Sequence, residues 1–289
     1  MLNGFINLYK EKGISSNKAL SILKFHLIQN NIFTKAGHFG TLDPEAEGVL
    51  PVALGRATRL FDYTIHKKKV YRTSFLFGKE TDTLDLAGEV IKEEAVSITK
   101  EDILDVLYKF IGNIPQVPPK YSAKSIGGKR AYALARKGIE FSLKPKLVEV
   151  FSIDILSQID KNHFEFRIVC GGGAYIRALA RDIAKELGTV AVTTSIIREA
   201  SGDFKISKSV RLSEIENGVV QYILPMDTVL SDYQRIDIDL NQLKDLLDGK
   251  RILYKNIPDG FIKVYTDNRL TGIGKRDNSG RLFIKTWLI

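Results

Sequence analysis

The stretch over residues 37–60, GHFGTLDPEAEGVLPVALGRATRL, constrains the fold of this chain more than any other segment. Its glycines permit positive φ angles and close backbone approach, and its prolines restrict the residues that precede them. The apolar run at residues 49–54 needs burial, which a merely solvated loop does not provide. We therefore expect a rigid, partly buried loop that presents Asp43, with Arg56 and Arg59 as its flanking basic residues.

The size and charge of the chain narrow the class of protein. Its 289 residues allow one large domain or a main domain with a smaller one, and a hydrophobic content of 44% is enough for a real core. A net charge of +9 favours a polyanionic partner, with a nucleic acid first and an anionic membrane surface second. Signal-peptide and membrane-spanning patterns are both missing from the sequence. We expect a soluble, cytoplasmic protein without a membrane partner.

The cysteine and histidine content argues against a metal site. Cys170 is the only cysteine, so an intramolecular disulfide and a thiolate zinc cluster are both excluded. The histidines are far apart in sequence and form no closely spaced pair; they are His26, His38, His66 and His163. We expect neither a metal ion nor another cofactor.

Alternating patterns predict two main strands. Residues 70–77 place aromatic and β-branched side chains on one face, and residues 163–170 alternate in the same way. The inward face of the first strand holds Tyr71, Thr73, Phe75 and Phe77. Tyr71 is therefore either a core residue or one whose hydroxyl is directed at a ligand. The prolines at 115, 118 and 119 predict an irregular, extended segment after the second helix.

Capping signals predict where the helices begin. Ser15 or Ser16 caps the first helix, and Thr99 with Asp102 forms a capping box for the second. A third helix is predicted over residues 175–187 by its apolar stripe. Beyond residue 229, a short helix and strand-like runs at 260–265 and 282–289, with a turn at 277–280, predict a small, mostly-β appendage.

Three basic or glycine-rich segments allow two interpretations each. The segment 124–137 surrounds Tyr132 with basic residues, which suits either RNA contact through phosphates and stacking or a solvated helix face. The lysines at 67–69 favour a solvated face over phosphate contact. The glycines at 171–173 precede a helix and could hold a phosphate, although a tight turn is the more common use.

The sequence GHFGTLDP at residues 37–44 closely resembles the signature of the TruB family of tRNA pseudouridine synthases, GHxGxLDPxAxGvLpvxxGxaTk/r. Further blocks follow in the family's order between residues 5 and 227: KEKGISS at 10–16, Tyr71 with Arg72, TDT at 81–83 with Asp85 and Gly88, PPKYSAK at 118–124, and the segments 170–187 and 198–204. Glu11, Gly172 and Ala174 depart from the pattern, since the family commonly has proline, serine and threonine there. The C-terminal appendage resembles the family's PUA-like unit only loosely.

The resemblance implies a fold and a reaction. The fold would be the α/β (α+β) pseudouridine synthase fold, a central mixed, mainly antiparallel sheet flanked by helices, with a catalytic domain at 1–229 and a small PUA-like RNA-binding domain at 230–289. The reaction detaches a uracil from its ribose, rotates it and rejoins it through carbon, without a cofactor. The substrate would be the T-loop uridine of tRNA at position 55, flipped out of the RNA.

The resemblance also implies roles for single residues. Asp43 would be the nucleophile, Arg177 its ionic partner, and Tyr71 a stacking residue that can also remove the proton from the rejoined carbon. His38 would fill the gap that the extruded nucleotide leaves. Further RNA contacts are expected from Gly40, Thr41, Arg56, Arg59, Tyr121, Lys124, Lys129, Arg130 and Tyr175.

Three alternatives accompany this hypothesis. One is a tRNA-binding folding chaperone in which catalysis is secondary. Another is a guide-RNA-dependent relative resembling dyskerin, against which the short chain argues, so we expect a monomer that needs no guide RNA. A glycoside hydrolase would need a second carboxylate near Asp43, for which Asp82 or Asp85 could serve, but the sequence does not set that distance.

Overall fold

A computed structural model of the chain describes residues 2–122, 124–216, 218–254 and 259–289, and the side chains of residues 129, 130 and 133 lie outside that description. The α-helices are α1 (Ser16–Gln29), α2 (Lys100–Leu107), α3 (Ala131–Ala135), α4 (Ile176–Glu186), α5 (Leu212–Ile215) and α6 (Leu240–Leu247). Short 3-10 helices cover Gly55–Tyr63, Tyr108–Phe110, Ile206–Lys208, Val220–Tyr222 and Met226–Leu230.

The strands divide between a large and a small sheet and two short hairpins. They are β1 (Gly4–Lys10), β2 (Ala36–His38), β3 (Glu47–Leu54), β4 (Lys69–Phe77), β5 (Lys79–Thr81), β6 (Val90–Glu93), β7 (Gly112–Gln116), β8 (Ser125–Ile126), β9 (Lys129–Arg130), β10 (Lys146–Asp160), β11 (His163–Cys170), β12 (Ala191–Ser201), β13 (Phe204–Lys205), β14 (Ile223–Leu224), β15 (Gln234–Asp237), β16 (Ile252–Leu253), β17 (Phe261–Thr266), β18 (Arg269–Arg276) and β19 (Arg281–Trp287).

The large sheet is mixed and mainly antiparallel. Within the described residues it has ten strands, in the order β14-β1-β3-β12-β4-β11-β10-β7, with β2 paired to β3 and β13 paired to β12. The pairing of β3 with β12 is parallel, and the other pairs of this sheet are antiparallel. The predicted sheet type is therefore confirmed.

The apolar run at residues 49–54 is part of an inner strand. It lies in β3, between β1 and β12, and each of its side chains is buried. The expected burial is confirmed, but the expectation of a loop over the whole segment is wrong for this part. Only the residues between β2 and β3 form the loop that presents Asp43.

The face of β4 matches its predicted alternation. Tyr71, Thr73, Phe75 and Phe77 are all buried, and the ring of Phe75 lies 4.7 Å from that of Phe166 on β11.

The predicted starts of the first two helices are also confirmed, since Ser15 caps α1 and Thr99 forms a capping box with Asp102 at α2. These residues carry strong local signals, which explains the agreement.

The prediction of an irregular chain around Pro115 is wrong. Pro115 lies in β7, the strand at one end of the order, which pairs only with β10 among the described strands. An edge strand tolerates proline because one row of its backbone groups has no neighbour to bond. The stretch after β7, which contains Pro118 and Pro119, has no regular structure, as expected.

The C-terminal part forms a second sheet in the order β15-β17-β18-β19-β16, so the mostly-β character predicted for it is confirmed. The strand β18 was not predicted, because its sequence RLTGIGKR interrupts the apolar pattern with two glycines. The turn expected at residues 277–280 joins β18 to β19. The division of the chain at residues 229 and 230 stays a prediction.

The two sheets share one hydrophobic cluster. Ile273 and Leu288 from the C-terminal part pack in the same cluster as Phe5, Phe39 and Val49 of the large sheet. Polar contacts follow the same seam: Arg59 donates to the Trp287 carbonyl at 2.7 Å, Arg56 donates to the Leu288 carbonyl at 3.4 Å, and the Tyr63 hydroxyl bonds the Thr286 hydroxyl at 2.6 Å. The last strand is thus fixed against the 3-10 helix that follows β3.

Candidate active site

A cavity of about 490 Å³ opens beside the Asp43 loop. Its size lies within the range of about 300–1,000 Å³ that is common for ligand pockets. Most of the residues predicted to act on RNA meet at its wall, although they come from distant parts of the chain: His38, Gly40, Thr41, Asp43, Tyr71, Lys124, Tyr175 and Arg177.

The loop that carries Asp43 is held by hydrogen bonds from the end of β1 and the start of α1. The Ser16 hydroxyl donates to the Leu42 carbonyl and accepts from the Leu42 N–H, both at 2.8 Å. The Lys10 ammonium is fully buried and donates to the Pro44 carbonyl at 3.2 Å. Burial lowers the pKa of Lys10 to about 8, and the charge of Asp43 is the largest opposing influence. The residues on either side of Asp43 are therefore fixed.

Arg177 lies in the first turn of α4 and is the ionic partner of Asp43. Its Nη2 atom is 2.5 Å from Oδ2 of Asp43, and its Nη1 atom is 3.2 Å from Oδ2 of Asp85. The Arg177 guanidinium also binds two backbone carbonyls: Nη1 donates to that of Thr83 at 2.6 Å, and Nη2 donates to that of Tyr121 at 3.0 Å. The Arg177 side chain is only 4% exposed, whereas that of Asp43 is 38% exposed. The guanidinium is thus a fixed, buried support, and the carboxylate faces the cavity.

Asp85 is a second carboxylate near Asp43, but it is turned away from the cavity. Its Oδ1 atom accepts from the Thr83 hydroxyl at 2.7 Å and from the Ala87 N–H at 3.1 Å, and it does not line the large cavity. Both carboxylates bind the same guanidinium of Arg177. This arrangement does not place a second acid across a substrate from Asp43, as a glycoside hydrolase needs.

Tyr71 is buried at the base of the cavity, with 7% of its surface exposed. It lies opposite Arg198 in the pairing of β4 with β12. Burial raises the pKa of the Tyr71 phenol, and the positive charge of Arg198 is the largest opposing influence. The resting side chain is therefore a neutral phenol, in contact with a cation that favours its deprotonation.

His38 ends β2 and lines the same cavity. Its Nε2 atom lies 3.3 Å from Oδ1 of Asn17, and its Nδ1 atom is buried without a hydrogen-bond partner among the described residues. Burial lowers the pKa of His38, and the charge of Arg198 lowers it further. A neutral imidazole at this position suits contact with RNA bases better than contact with phosphates.

The other RNA-binding predictions fall into three groups. Tyr175 and Lys124 line the cavity, and Gln116 fixes Tyr175 by hydrogen bonds to both its N–H at 2.8 Å and its carbonyl at 3.1 Å. Tyr121 lies outside the cavity wall; its carbonyl binds Arg177, and its phenol binds Asp82.

Arg56 and Arg59 also lie outside the cavity wall and bind the C-terminal carbonyls instead. The side chains of Lys129 and Arg130 are outside the described part of the structure. An RNA-binding role stays a prediction for these four residues, as it does for Tyr121 and for the residues that line the cavity.

The lysines at 67–69 are not a uniformly solvated face, so that prediction is wrong. Lys69 is 7% exposed and lines the cavity, and its ammonium donates to the carbonyls of Ile65 at 3.1 Å and Lys67 at 3.0 Å. Lys67 forms an ion pair with Asp203 at 2.5 Å. Extending the alternation of β4 backwards from Tyr71 would have placed Lys69 on the inward face.

Arg198 is the main cavity residue whose role sequence reasoning missed. It is buried with 1% of its surface exposed, and it follows Ile196 on the same face of β12, where both line the cavity. Although a family-like block begins at Arg198, the residue pattern around it gives no sign that a charged side chain faces inward.

The described residues contain neither a candidate metal site nor a candidate membrane span. Among them, no group of three or more His, Cys, Asp or Glu side chains could hold a metal ion. None of the helices in the described segments is long and apolar enough to cross a membrane.

The fold and the cavity define an enzyme in which a carboxylate, held by a buried arginine, faces a pocket rimmed by lysines and aromatic rings. The model of the TruB family pseudouridylate synthase N-terminal domain matches residues 27–176. The chain belongs to the TruB family of pseudouridylate synthases.

Curated relatives support the same family over nearly the whole chain. A protein of Clostridium tetani named tRNA pseudouridine synthase B is 37% identical over 98% of this chain and 99% of its own length. A protein of the same name from Aquifex aeolicus is 36% identical over 95% of this chain and 96% of its own length.

Solved structures agree with the fold. A chain in the crystal structure of a Cbf5–Nop10–Gar1 complex superposes with a TM-score of 0.73 at 24% identity, covering 99% of this chain and 85% of that one. A chain in a structure of an H/ACA RNP bound to a substrate RNA containing 2′-deoxyuridine gives a TM-score of 0.72 at 23% identity, with the same coverage.

Proposed function

We propose that this enzyme converts the T-loop uridine at position 55 of tRNA to pseudouridine, as a cytoplasmic monomer that needs no guide RNA. The observation that carries this proposal is the Asp43 carboxylate, which faces the cavity while its Oδ2 atom binds the buried Arg177. The names of the curated relatives support tRNA as the substrate. The net charge of +9 suits a polyanionic partner.

The chemistry needs a carboxylate nucleophile that is held in a fixed direction beside an uncharged base. Asp43 has this role, because the guanidinium of Arg177 compensates its charge and fixes its direction. The cavity of about 490 Å³ keeps the detached uracil beside the sugar until it has rotated. Tyr71 at the base of the cavity contacts the ring, and its phenol, once deprotonated, removes the proton from the rejoined carbon.

The uridine must leave the folded T loop before it reaches Asp43. Flipping a base costs a few kcal/mol. Stacking on aromatic side chains at roughly 1–3 kcal/mol per base, together with phosphate contacts, offsets that cost. His38, Tyr175 and Lys124 line the cavity and serve these contacts. The C-terminal sheet at residues 230–289 adds an RNA-binding surface outside the cavity.

The proposal is tested with a T-arm stem–loop that carries tritium at C5 of the target uridine. We expect the wild-type protein alone to release the tritium, because the new carbon–carbon bond replaces the C5 hydrogen. A matched stem–loop with tritium only in stem uridines is the control and should release none. Absence of release from both the stem–loop and full-length tRNA would refute the function, and release only from another RNA would refute the substrate.

Tyr71→Phe should lower kcat by about 100-fold, in the range for loss of a general base, while RNA binding changes little because the ring remains. Single-turnover tritium release and RNA binding by filter retention measure the two quantities. Tyr63→Phe is the matched control, since the Tyr63 hydroxyl binds Thr286 and faces the C-terminal sheet. A rate for Tyr71→Phe equal to that of the wild type would remove the phenol from the mechanism.

A further inference from the structure

Arg198 is a buried cation without a carboxylate partner. It has 1% of its surface exposed, and no acidic side chain of the described residues forms an ion pair with it. The two acids that line the cavity with Arg198 are paired elsewhere, since Asp43 binds Arg177 and Asp203 binds Lys67. A buried charge without an ion pair lowers the stability of the folded state, so its presence at the cavity wall indicates a functional role.

The guanidinium of Arg198 joins the two sides of the Asp43 loop. Its Nη2 atom donates to the Gly40 carbonyl at 2.9 Å and its Nη1 atom reaches the Thr41 carbonyl at 3.5 Å, both before Asp43 in the chain. Its Nε atom donates to the Val49 carbonyl at 2.7 Å, after Asp43. One planar side chain therefore fixes both ends of the loop that presents the nucleophile.

Two glycines lie against Arg198: Gly40 in the loop and Gly48 in β3, where it is paired with Arg198 of β12. A Cβ atom at Gly48, where φ is +104°, would lie 2.4 Å from the Arg198 carbonyl oxygen. Gly40 has a φ of +96°, and a Cβ atom there would lie 3.5 Å from Nη1 of Arg198. Gly48 therefore allows β3 to approach the backbone of β12 at Arg198, and the positive φ of Gly40 is a backbone conformation that favours glycine where the loop meets the guanidinium.

Arg198 also acts on the charge state of the cavity. Burial raises the pKa of the Tyr71 phenol, and the charge of Arg198 and its hydrogen bond to that phenol oppose the increase. Burial is the largest cause that lowers the pKa of Lys69 to about 8, and Arg198 is the second. The base of the cavity therefore carries a positive potential that favours anions over further cations.

We propose that Arg198 is a positioning residue that clamps the Asp43 loop against Tyr71 and keeps an unpaired positive charge at the base of the cavity. This inference rests on the proposed function. Asp43 bonds to the sugar carbon as the bond to the base breaks, which leaves the electron pair on N1 of the uracil. C5 then displaces Asp43, the anionic phenol of Tyr71 takes the proton that C5 loses, and N1 takes up a proton from solvent. The charge of Arg198 stabilises both anions, and its hydrogen bonds hold the loop while they form.

Two substitutions separate the charge from the hydrogen bonds. Arg198→Met removes both, and we expect kcat on the T-arm stem–loop to fall by about 100-fold or more, the scale found when a preorganised electrostatic contact is lost. Arg198→Lys keeps the charge and loses the planar donors, so we expect a smaller decrease in kcat, about ten-fold. In both variants KM should stay within about three-fold of the wild type, because Arg198 does not bind the RNA chain.

The pH dependence of the rate provides a readout that a merely structural role would not change. Three groups influence the pKa of Tyr71 besides its burial: Arg198, Cys170 and Asp43. Removing the charge of Arg198 raises the pKa of Tyr71, so the increase of kcat with pH should move to higher pH in Arg198→Met and stay near the wild-type position in Arg198→Lys. Adding Tyr71→Phe should remove that step, which separates it from titration of Lys69.

Arg72→Met is the matched control. Arg72 lies next to Tyr71 on β4, but it is exposed and binds Glu165 at 2.7 Å and 3.0 Å. We expect the wild-type rate and pH profile from this variant. Thermal unfolding shows whether each variant is folded. If Arg198→Met does not fold, the inference is tested by the decrease in kcat of Arg198→Lys alone.

An unchanged kcat in Arg198→Lys and Arg198→Met, or a loss that appears in KM alone, would overturn the inference while leaving the proposed function intact. An inactive wild-type protein would overturn the proposed function instead. If the wild type acts on another RNA, the same variants test Arg198 on that RNA.

Discussion

Asp43→Asn is expected to abolish tritium release from the T-arm stem–loop, with kcat reduced by at least about 10³-fold. Asparagine has almost the same shape and keeps an acceptor oxygen for Arg177, but it lacks the negative charge that makes the carboxylate a nucleophile. Binding of tRNA should be kept or slightly strengthened, because the substitution removes a negative charge from a site that meets RNA.

Asp62→Asn is the matched control for this prediction. Asp62 lies on the 3-10 helix Gly55–Tyr63, is exposed and does not line the cavity, so the same chemical change there should leave the rate unchanged. Full tritium release by Asp43→Asn would contradict the assignment of the nucleophile. The variant also separates catalysis from tRNA folding, since a chaperone function would survive in a protein that binds tRNA but releases no tritium.

Arg177→Met is expected to lower kcat by roughly 10²–10³-fold while tRNA binding stays close to that of the wild type. The substitution keeps much of the side-chain volume but removes the cation between Asp43 and Asp85. Asp85 is buried and would lose its counter-ion, so we also expect a decrease of ~3 kcal/mol in the free energy of unfolding. Asp43 adds little to that loss because its side chain is 38% exposed.

Single-turnover kinetics, filter binding and urea unfolding measure these three quantities for Arg177→Met. Arg181→Met is the matched control, since Arg181 lies one turn further along α4 and binds Asp182, away from the cavity. Arg177→Lys keeps a charge but cannot hold both carboxylates with the same geometry, so its rate should fall between those of the wild type and Arg177→Met. A parallel collapse of binding and rate would show that Arg177 serves RNA docking instead.

The sequence was most informative where a local pattern determines the structure. The alternation over residues 70–77 predicted the buried face that holds Tyr71, and the capping box of Thr99 and Asp102 predicted the start of α2. The Asp43–Arg177 pair joins residues 134 positions apart. No periodicity reaches over that distance, and only the resemblance to a family predicted the pair.

The wrong predictions for Lys69 and Pro115, and the missed role of Arg198, also have physical causes. Three consecutive lysines obscured the strand that turns Lys69 inward, and Pro115 is accepted in β7 only because that strand lies at the edge of its sheet. Arg198 carries no local signal, since its donors bind three backbone carbonyls that are distant in sequence, two from the Asp43 loop and one from β3. Contacts made by tertiary packing are decided by the whole chain and not by the neighbours in sequence.

The hydrophobic cluster shared by the two sheets affects how the activity of a truncated chain must be interpreted. Leu288 and Ile273 belong to the same hydrophobic cluster as Phe39, which lines the cavity, and the ring of Phe39 lies 5.3 Å from that of Phe61. Removing the C-terminal sheet would uncover this apolar wall and would also delete the RNA contacts that we propose for that sheet. Loss of activity in a truncated protein would therefore not measure RNA binding by the C-terminal sheet, whereas surface substitutions on that sheet would.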